Sequence, residues 1–292
     1  MFTIIGLMLT GMLLGYLLRK RSLHKIHTVI TVLIWALLFI LGIEVGGNEQ
    51  IIKGLHTIGI EAVILTLGST LGSVIAAWAL WKALYRKKEN SMKGSLIIIG
   101  FFVLGTLCGI FHLIPVDAVM DSKVSFYALC ALMFSVGLSV GNDPQTLKNF
   151  RSLNPRLVFL PIMTILGTLA GSAAVSLILT HRSLTDCLAV GSGFGYYSLS
   201  SIFITEYKGA ELGTIALLAN ISREILTLLA APLLVRWFGN LAPISAGGAT
   251  TMDTTLPIIT RTAGQQFVVV SIFHGFVVDF SVPFLVTLFC SI

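Results

Sequence analysis

A charge at the bilayer midplane costs at least about 2.5–3.5 kcal/mol on insertion scales, so a carboxylate held there has a purpose. Glu224 occupies such a place. It lies in Leu218-Ala219-Asn220-Ile221-Ser222-Arg223-Glu224-Ile225-Leu226, in the middle of an apolar run over 212–236. Asn220 is four residues earlier and Thr227 three later, so the three share a helix face. That polar stripe is expected to face the protein interior, where Glu224 would bind a cation or a proton. The plainer alternative is a structural pair with an Arg or Asn of another helix. Arg223 points about 100° away from Glu224 around the helix and is expected to serve some other group, such as a carboxylate.

Asp253 is the second acid that its surroundings single out. It lies within Gly247-Gly248-Ala249-Thr250-Thr251-Met252-Asp253-Thr254-Thr255-Leu256-Pro257. Small residues let the backbone turn and approach a ligand. Threonine hydroxyls such as that of Thr254, together with unwound carbonyls, can coordinate a cation, and half-helix N-termini can hold a carboxylate. An Asp that caps a short helix is the compatible structural alternative. A third polar stretch, Gly191-Ser192-Gly193-Phe194-Gly195-Tyr196-Tyr197-Ser198-Leu199-Ser200-Ser201, offers Ser192, Tyr196, Tyr197, Ser198 and Ser200. Its Gly-rich turn could cradle an anionic group, although no strand precedes it and its spacing is not a dinucleotide fingerprint. Tyr196 and Tyr197 as interfacial anchors are the competing reading. Glu44 and Glu61, at the ends of apolar runs, read as surface groups. Asp279 reads equally as a relay or as a group near the outer interface, and His274 as a satisfied core histidine rather than a titrating one.

These residues need elements to hold them, and the composition says which. Apolar residues make up 55% of the 292-residue chain and charged ones 11%, against roughly 45–50% and 25% in soluble proteins. Mean hydropathy is +0.94. A soluble chain of this size has too little interior for so much apolar side chain. A soluble enzyme, a nucleic-acid-binding domain and a disordered chain are excluded. The net charge of +6 comes from short basic clusters between apolar runs, where they set orientation instead of binding nucleic acid. Eight runs are long enough to span, at about 2–18, 27–45, 57–81, 95–115, 124–141, 156–180, 212–236 and 264–290. The first precedes Arg19-Lys20-Arg21 and reads as a retained helix rather than a cleaved signal. The two Gly-, Ser- and Thr-rich stretches suit re-entrant hairpins or broken helices buried in protein. The expected fold is an all-α polytopic membrane protein with about eight transmembrane helices and two such hairpins. Cys108, Cys130, Cys187 and Cys290 are scattered without metal-ligand spacing and read as buried thiols. No metal or cofactor is expected.

With both hairpins re-entrant, fourteen of the 19 Lys and Arg residues fall on one face: Arg19, Lys20, Arg21, Lys25, Lys82, Arg86, Lys87, Lys88, Lys93, Lys148, Arg151, Arg156, Arg236 and Arg261. Lys53, Lys123, Arg182 and Lys208 fall on the other. The basic face is the cytoplasmic one, which puts both termini outside. The chain also resembles itself. Ile4-Ile5-Gly6, Gly11 and Gly15 match Ile98-Ile99-Gly100, Gly105 and Gly109 at an offset of 94. Phe39, Gly42, Val45, Gly46, Gln50, Lys53 and Leu71-Gly72 match Phe134, Gly137, Val140, Gly141, Gln145, Lys148 and Leu166-Gly167 at 95. A unit of three spans inserts its second copy upside down, as in secondary transporters. The organisation expected is a three-helix repeat over 1–85, its inverted copy over 95–180, a hairpin plus the Glu224 helix over 187–236, and a hairpin plus helix with Asp253 over 243–292. Gly213 and Pro232 match Gly264 and Pro283 at 51, suggesting that the last two units also invert.

Four ordered signatures carry a family resemblance: Gly191 to Ser200, Asn220 with Arg223-Glu224, Gly248 to Pro257, and His274-Gly275-Phe276. Together they resemble the bacterial LysO lysine exporter family. The resemblance is dense over about 187–290 and elsewhere rests on the pattern of spans. It implies export of L-lysine and of toxic lysine analogues across the bacterial inner membrane, coupled to inward proton movement, with membrane-embedded acids matching Glu224 and Asp253. It assigns nothing to Asp279 and maps no N-terminal acid. The residues suit that substrate. Lysine carries two ammonium groups and one carboxylate; one acid can pair with an ammonium, a second can take the other ammonium or the proton, and a half-helix N-terminus can take the carboxylate. The implied partners are L-lysine, protons and the bilayer; a homo-oligomer is left open. An intramembrane serine protease using Ser192 with His274 is the enzyme alternative, and it gives Glu224 and Asp253 no role. A passive channel, or a transporter of another cationic amino acid or small solute, is the third reading.

Overall fold

The computed structural model of the protein describes residues 2–19, 25–47, 59–85, 95–115, 119, 123–142 and 154–292. Among the described residues regular structure is entirely helical, as lipid demands of a backbone that must satisfy its own hydrogen bonds. The helices are α1 (Phe2–Leu17), α2 (Ile26–Gly47), α3 (Gly59–Leu84), α4 (Ser95–Ile110), α5 (Val124–Asn142), α6 (Leu160–Ser176), α7 (Leu184–Gly191), α8 (Tyr197–Lys208), α9 (Ala210–Phe238), α10 (Ala242–Gly247), α11 (Leu256–Ala263) and α12 (Val268–Ser291). Short 3-10 turns at Pro155–Phe159, Gly248–Met252 and Gln265–Phe267 complete the described path.

Among the described residues six helices are long and apolar enough to cross a membrane: Thr28–Gly47, Gly59–Leu84, Val124–Asn142, Pro155–Ser176, Ala210–Phe238 and Gln265–Ser291. The remaining two expected spans are helical and apolar but shorter, at 16 residues each, or about 24 Å. The basic positions Lys20, Arg21, Lys53, Arg86, Lys87, Lys88, Lys93, Lys148 and Arg151 lie outside the described residues, as do the repeat matches at Gln50 and Gln145.

The chain divides into two compact units, one of Met1–Ile52, Lys93–Leu153 and Gln265–Phe267, the other of Lys53–Met92, Asn154–Gly264 and Val268–Ile292. In the first unit glycines let helix backbones touch. A Cβ on Gly11 or Gly15 of α1 would strike the Phe134 or Leu138 carbonyl of α5, and one on Gly105 or Gly109 of α4 would strike the Phe39 or Ile43 carbonyl of α2. Reciprocal contacts run from Gly137 and Gly141 to Met8 and Met12, and from Gly42 and Gly46 to Phe102 and Thr106. The two sets of contacts are related by the same 94- and 95-residue offsets that relate the sequences. Small residues at such crossings are how helices associate in lipid, where apolar burial supplies no drive.

In the second unit α3 meets α6 through Gly68, Gly72, Gly167 and Gly171, with the Gly72 and Gly167 carbonyls facing each other's Cα. The rest of the unit carries the two polar stretches, and both interrupt helices. Ser183 and Asp186 form a capping box that starts α7; the chain then unwinds after Gly191 and restarts at Tyr197. Pro243 opens α10 and Pro257 opens α11, at the position where a missing N–H costs nothing. Pro232 and Pro283 lie inside the two long helices that follow, α9 and α12.

Candidate functional site

The two interruptions touch. Phe194 has a left-handed backbone (φ 46°) and Gly195 and Gly248 have φ of 91° and 59°; for these two positions glycine is the residue that adopts such angles without strain. The turn aims the Phe194 carbonyl at the other break, where it accepts from the Ala249 N–H at 3.0 Å. A Cβ on Gly248 would collide with that same carbonyl. Two unwound segments therefore cross inside the protein, with backbone polar groups of one satisfied by the other.

Helix α9 supplies the side chains that hold the crossing. Asn220 is buried. Its Oδ1 accepts from the Gly195 N–H at 2.8 Å, and its Nδ2 donates to the Val190 carbonyl at 3.1 Å and the Ala216 carbonyl at 2.9 Å, with Ser200 Oγ at 3.4 Å. One amide thus bridges the end of α7, the break and α8. Arg223, one turn on and 1% exposed, serves the second break. Its Nε donates to the Ala246 carbonyl at 2.8 Å and its Nη2 to the Ser245 carbonyl at 3.1 Å, the last-turn carbonyls of α10. Thr168 Oγ1 and Ser73 Oγ accept further N–H bonds at 3.2–3.3 Å, and the guanidinium lies 5.7 Å from the Phe194 ring centroid. The expected carboxylate partner of Arg223 is corrected by these bonds: the cation serves backbone carbonyls at a helix C-terminus, where the peptide dipoles favour it.

Glu224 is half-buried on α9 beside Arg223. Thr227 is buried, donates to the Arg223 carbonyl, and approaches Gly247. The stretch 220–227 therefore runs along both breaks, with Glu224 at the edge of that face.

Asp253 is half-buried just beyond the second break. Its Oδ1 accepts from the Thr254 N–H at 2.6 Å, with Thr254 Oγ1 at 3.5 Å. Its own N–H donates to the Thr250 carbonyl and its carbonyl accepts from Leu256. It is thus held at the approach to α11, whose first turn has no side-chain cap. Asp279 of α12 and Asp253 both lie close enough to Tyr196 to act on it electrostatically, and on each other. A glycine explains the approach: a Cβ on Gly275 would meet the Met252 backbone N and Thr251 Oγ1, and Asp279 is one turn further along that helix face. Tyr196 is half-buried at the cap of α8, and Ser198 is exposed in its first turn. Ser192 is fully buried and donates to the Leu188 carbonyl at 2.7 Å.

His274 is fully buried. Its Nε2 lies 2.8 Å from Thr164 Oγ1 and its Nδ1 3.1 Å from Thr251 Oγ1. Thr164 Oγ1 continues to Ser245 Oγ at 2.7 Å, which donates to the Ser73 carbonyl. His274 is therefore engaged with threonines, and Ser192 with its own helix turn; the dyad that a serine protease needs is not formed. The hydroxyls of Ser73, Thr164, Thr168 and Ser245 were not singled out by sequence. A signal existed: Thr164 and Thr168 are four apart on one helix face, and so are Ser69 and Ser73.

The acids expected at the surface lie at helix ends. Glu44 hydrogen-bonds Ser125 at the start of α5. Glu61 pairs with Arg182 at 2.8 Å and His181 at 3.1 Å, and Arg182 reaches Glu211 as well. Bonding to Glu61, then to Glu211, holds the Arg182 proton more firmly than usual. Among the described residues no cluster of His, Cys, Asp and Glu could hold a metal ion.

Comparison with known proteins adds to this geometry. The family model described as lysine exporter LysO matches residues 5–95 and 99–290. The chain is similar to lysine exporter LysO of Escherichia coli strain K12, with 29% identity over a 304-residue alignment covering all of both chains. It is also similar to a Haemophilus influenzae protein named "Putative lysine exporter", with 34% identity over 197 residues, 68% of this chain and 96% of that one. No solved structure matches.

Proposed function

The chain belongs to the lysine exporter LysO family, and from that premise we propose that it exports L-lysine, and lysine analogues, in exchange for protons. It is a multi-pass membrane protein whose family is one of transporters. The observation that carries the reading is the crossing of two interrupted helices at the Phe194–Ala249 hydrogen bond, with α9 bearing Glu224 alongside it and Asp253 just beyond it. Broken helices at a repeat interface are where secondary transporters place substrate and coupling ion.

In this reading Asp253 and Glu224 take turns with cations. A carboxylate binds either an ammonium or a proton, so proton entry releases lysine and lysine binding expels the proton. Thr254 orients Asp253 through its N–H. The first turn of α8, with Tyr196 at its cap and Ser198 following, supplies the positive end of a helix for the substrate carboxylate. Asn220 and Arg223 hold the two breaks at the right separation, and Ser192 packs α7. The matched glycine contacts at offsets of 94 and 95 support an inverted repeat, with α1–α3 and α4–α6 as the two copies. The excess of basic residues on one face supports insertion in the inner membrane with both termini outside.

The test is lysine counterflow in proteoliposomes with an imposed pH gradient. Labelled lysine should accumulate against its gradient when protons flow the other way, and collapsing the gradient should stop it. Lysine flux indifferent to the pH gradient would instead make the protein a passive channel. Absence of lysine flux, with another cationic amino acid carried, would move the substrate and keep the mechanism.

A further inference from the structure

We propose that Arg223 is a positioning residue that acts through the C-terminal carbonyls of α10, fixing the break that presents Asp253 without itself touching the solute. The proposal rests on the export reading for what the site does, and on geometry for how Arg223 serves it.

Three observations carry it. First, the side chain is 1% exposed and its N–H groups go to the Ser245 and Ala246 carbonyls and to Thr168 and Ser73 hydroxyls. A guanidinium has donors only, and here they are spent on the protein. Second, its backbone partners are helix-end carbonyls. The last four carbonyls of a helix lack intrahelical donors, and a buried orphan carbonyl is costly. A cation at that end meets both needs. Third, the held carbonyls connect directly to the acid. From Ala246 the chain runs into Gly247, whose carbonyl accepts from Thr250 Oγ1 at 2.9 Å. The Thr250 carbonyl accepts from the Asp253 N–H at 3.2 Å, and Asp253 Oδ1 accepts from the Thr254 N–H at 2.6 Å. Each link from the guanidinium to the carboxylate is a named bond or a short run of chain. The hydroxyl partners add anchorage, because Ser73 belongs to α3 and Thr168 to α6. Arg223 therefore ties α10 to the glycine-packed α3–α6 pair.

A cation that merely fills a hole would tolerate replacement by another cation. One whose planar fork reaches two carbonyls and two hydroxyls at once will not, since lysine is a point charge on a flexible stem. The experiment uses the full chain in proteoliposomes and compares Arg223→Lys with the parent. Competition against labelled lysine is measured for unlabelled lysine and for lysinamide, which lacks the carboxylate. Arg223→Lys should weaken both competitors by the same factor, about tenfold for the loss of charge-assisted bonds, and should shift the pH profile of counterflow. Loss confined to lysine, with lysinamide unaffected, would mean that Arg223 binds the substrate carboxylate and would overturn the proposal. Unchanged competition and an unchanged pH profile would overturn it too.

A second readout needs no substrate. D253C is made in a chain with Cys108, Cys130, Cys187 and Cys290 changed to Ala, and its thiol is modified by a small methanethiosulfonate. Adding Arg223→Lys should change that rate by about tenfold, as expected of lost charge-assisted bonds, and an unaltered rate refutes the positioning role. If the parent carries no lysine, the export reading fails while the thiol rate still decides the role of Arg223. Should Arg223→Lys fail to fold, Thr168→Val and Ser73→Ala remove its partners singly and should move the thiol rate by about threefold each, as loss of one of several bonds predicts; no movement in either would refute the role.

Discussion

The two breaks solve one problem with different chemistry. An interrupted helix exposes carbonyls where it stops and N–H groups where it restarts. In the first break a neutral amide, Asn220, answers both kinds of group at once, accepting from Gly195 and donating to Val190. In the second, Arg223 answers backbone carbonyls only, and N–H groups find other partners: that of Ala249 donates to the Phe194 carbonyl of the first break, and that of Thr254 to the Asp253 carboxylate. The first break is thus held by a neutral side chain. The second separates a fixed cation from a carboxylate by a few residues of chain. A titrating acid belongs in the second kind, because its charge can come and go while the fixed cation keeps the scaffold in place.

Removing that acid should be the largest effect. Asp253→Asn keeps the shape and removes the charge, and proton-driven lysine export should fall by about 100-fold or more, as for loss of one partner in a buried charge pair. The residual flux should no longer rise when the outside is acidified, whereas parent export should rise as external pH falls, since more protons drive the exchange inward. Efflux from lysine-loaded cells at matched protein levels measures both. An Asp253→Asn variant that still responds to external pH would shift the proton to another acid. Glu224→Gln should be comparably damaging; whichever of the two variants still binds lysine while failing to export it marks the proton site.

Much of this is legible in the sequence. Eight apolar runs became helices within a few residues of their expected bounds, because unbroken Leu, Ile and Val in lipid leave the backbone little choice. The Gly- and Ser-rich stretches became breaks for the opposite reason. What the sequence could not supply was partnership. By its charge Arg223 suggests a carboxylate partner, yet it bonds two backbone carbonyls, which any residue carries, and two hydroxyls. Asp279 looked ambiguous because its role depends on how closely α12 approaches the break, and that approach is set by Gly275, a residue without chemistry of its own. The hydroxyls of Thr164, Thr168, Ser73 and Ser245 carry no charge to single them out, and their network forms across three helices far apart in sequence, α3, α6 and α10.

The neutral break can be attacked next. Asn220→Leu keeps the branched shape but orphans the Gly195 N–H, a buried group costing about 1–3 kcal/mol when unpaired, while the Val190 carbonyl loses its side-chain donor and keeps the Gly193 N–H at 3.2 Å. Thermal unfolding in detergent should shift well below the parent, and export should fall with it. Asn220→Asp should recover the bond from Gly195 and lose those to Val190 and Ala216, so its melting temperature should lie between the two. If Asn220→Leu melts like the parent but fails to transport, the amide binds substrate and the comparison between the breaks is mistaken. Gly193→Ala probes the same clamp from the other side, because the new methyl would meet Asn220 Cγ and Oδ1 at 2.7 Å. Overpacking of this kind costs roughly 1–3 kcal/mol, and a milder loss of melting temperature is expected than for Asn220→Leu.

The smallest effect sharpens the comparison most cleanly. Ser192 stands at the lip of the first break, where a hydroxyl invites a catalytic or substrate-binding role. Its Oγ instead donates to the Leu188 carbonyl of its own turn, a local bond that helical serines make wherever they are buried. That carbonyl already accepts the Ser192 backbone N–H at 2.9 Å, so removing the hydroxyl strands nothing. Ser192→Ala should therefore change stability by less than about 1 kcal/mol, the net worth of an ordinary hydrogen bond, and leave export within about twofold of the parent, which such a change allows. The same measurement separates the two chemistries proposed for this stretch. A serine nucleophile would lose its activity entirely in Ser192→Ala, whereas an exporter whose first break is held by Asn220 has no use for that hydroxyl.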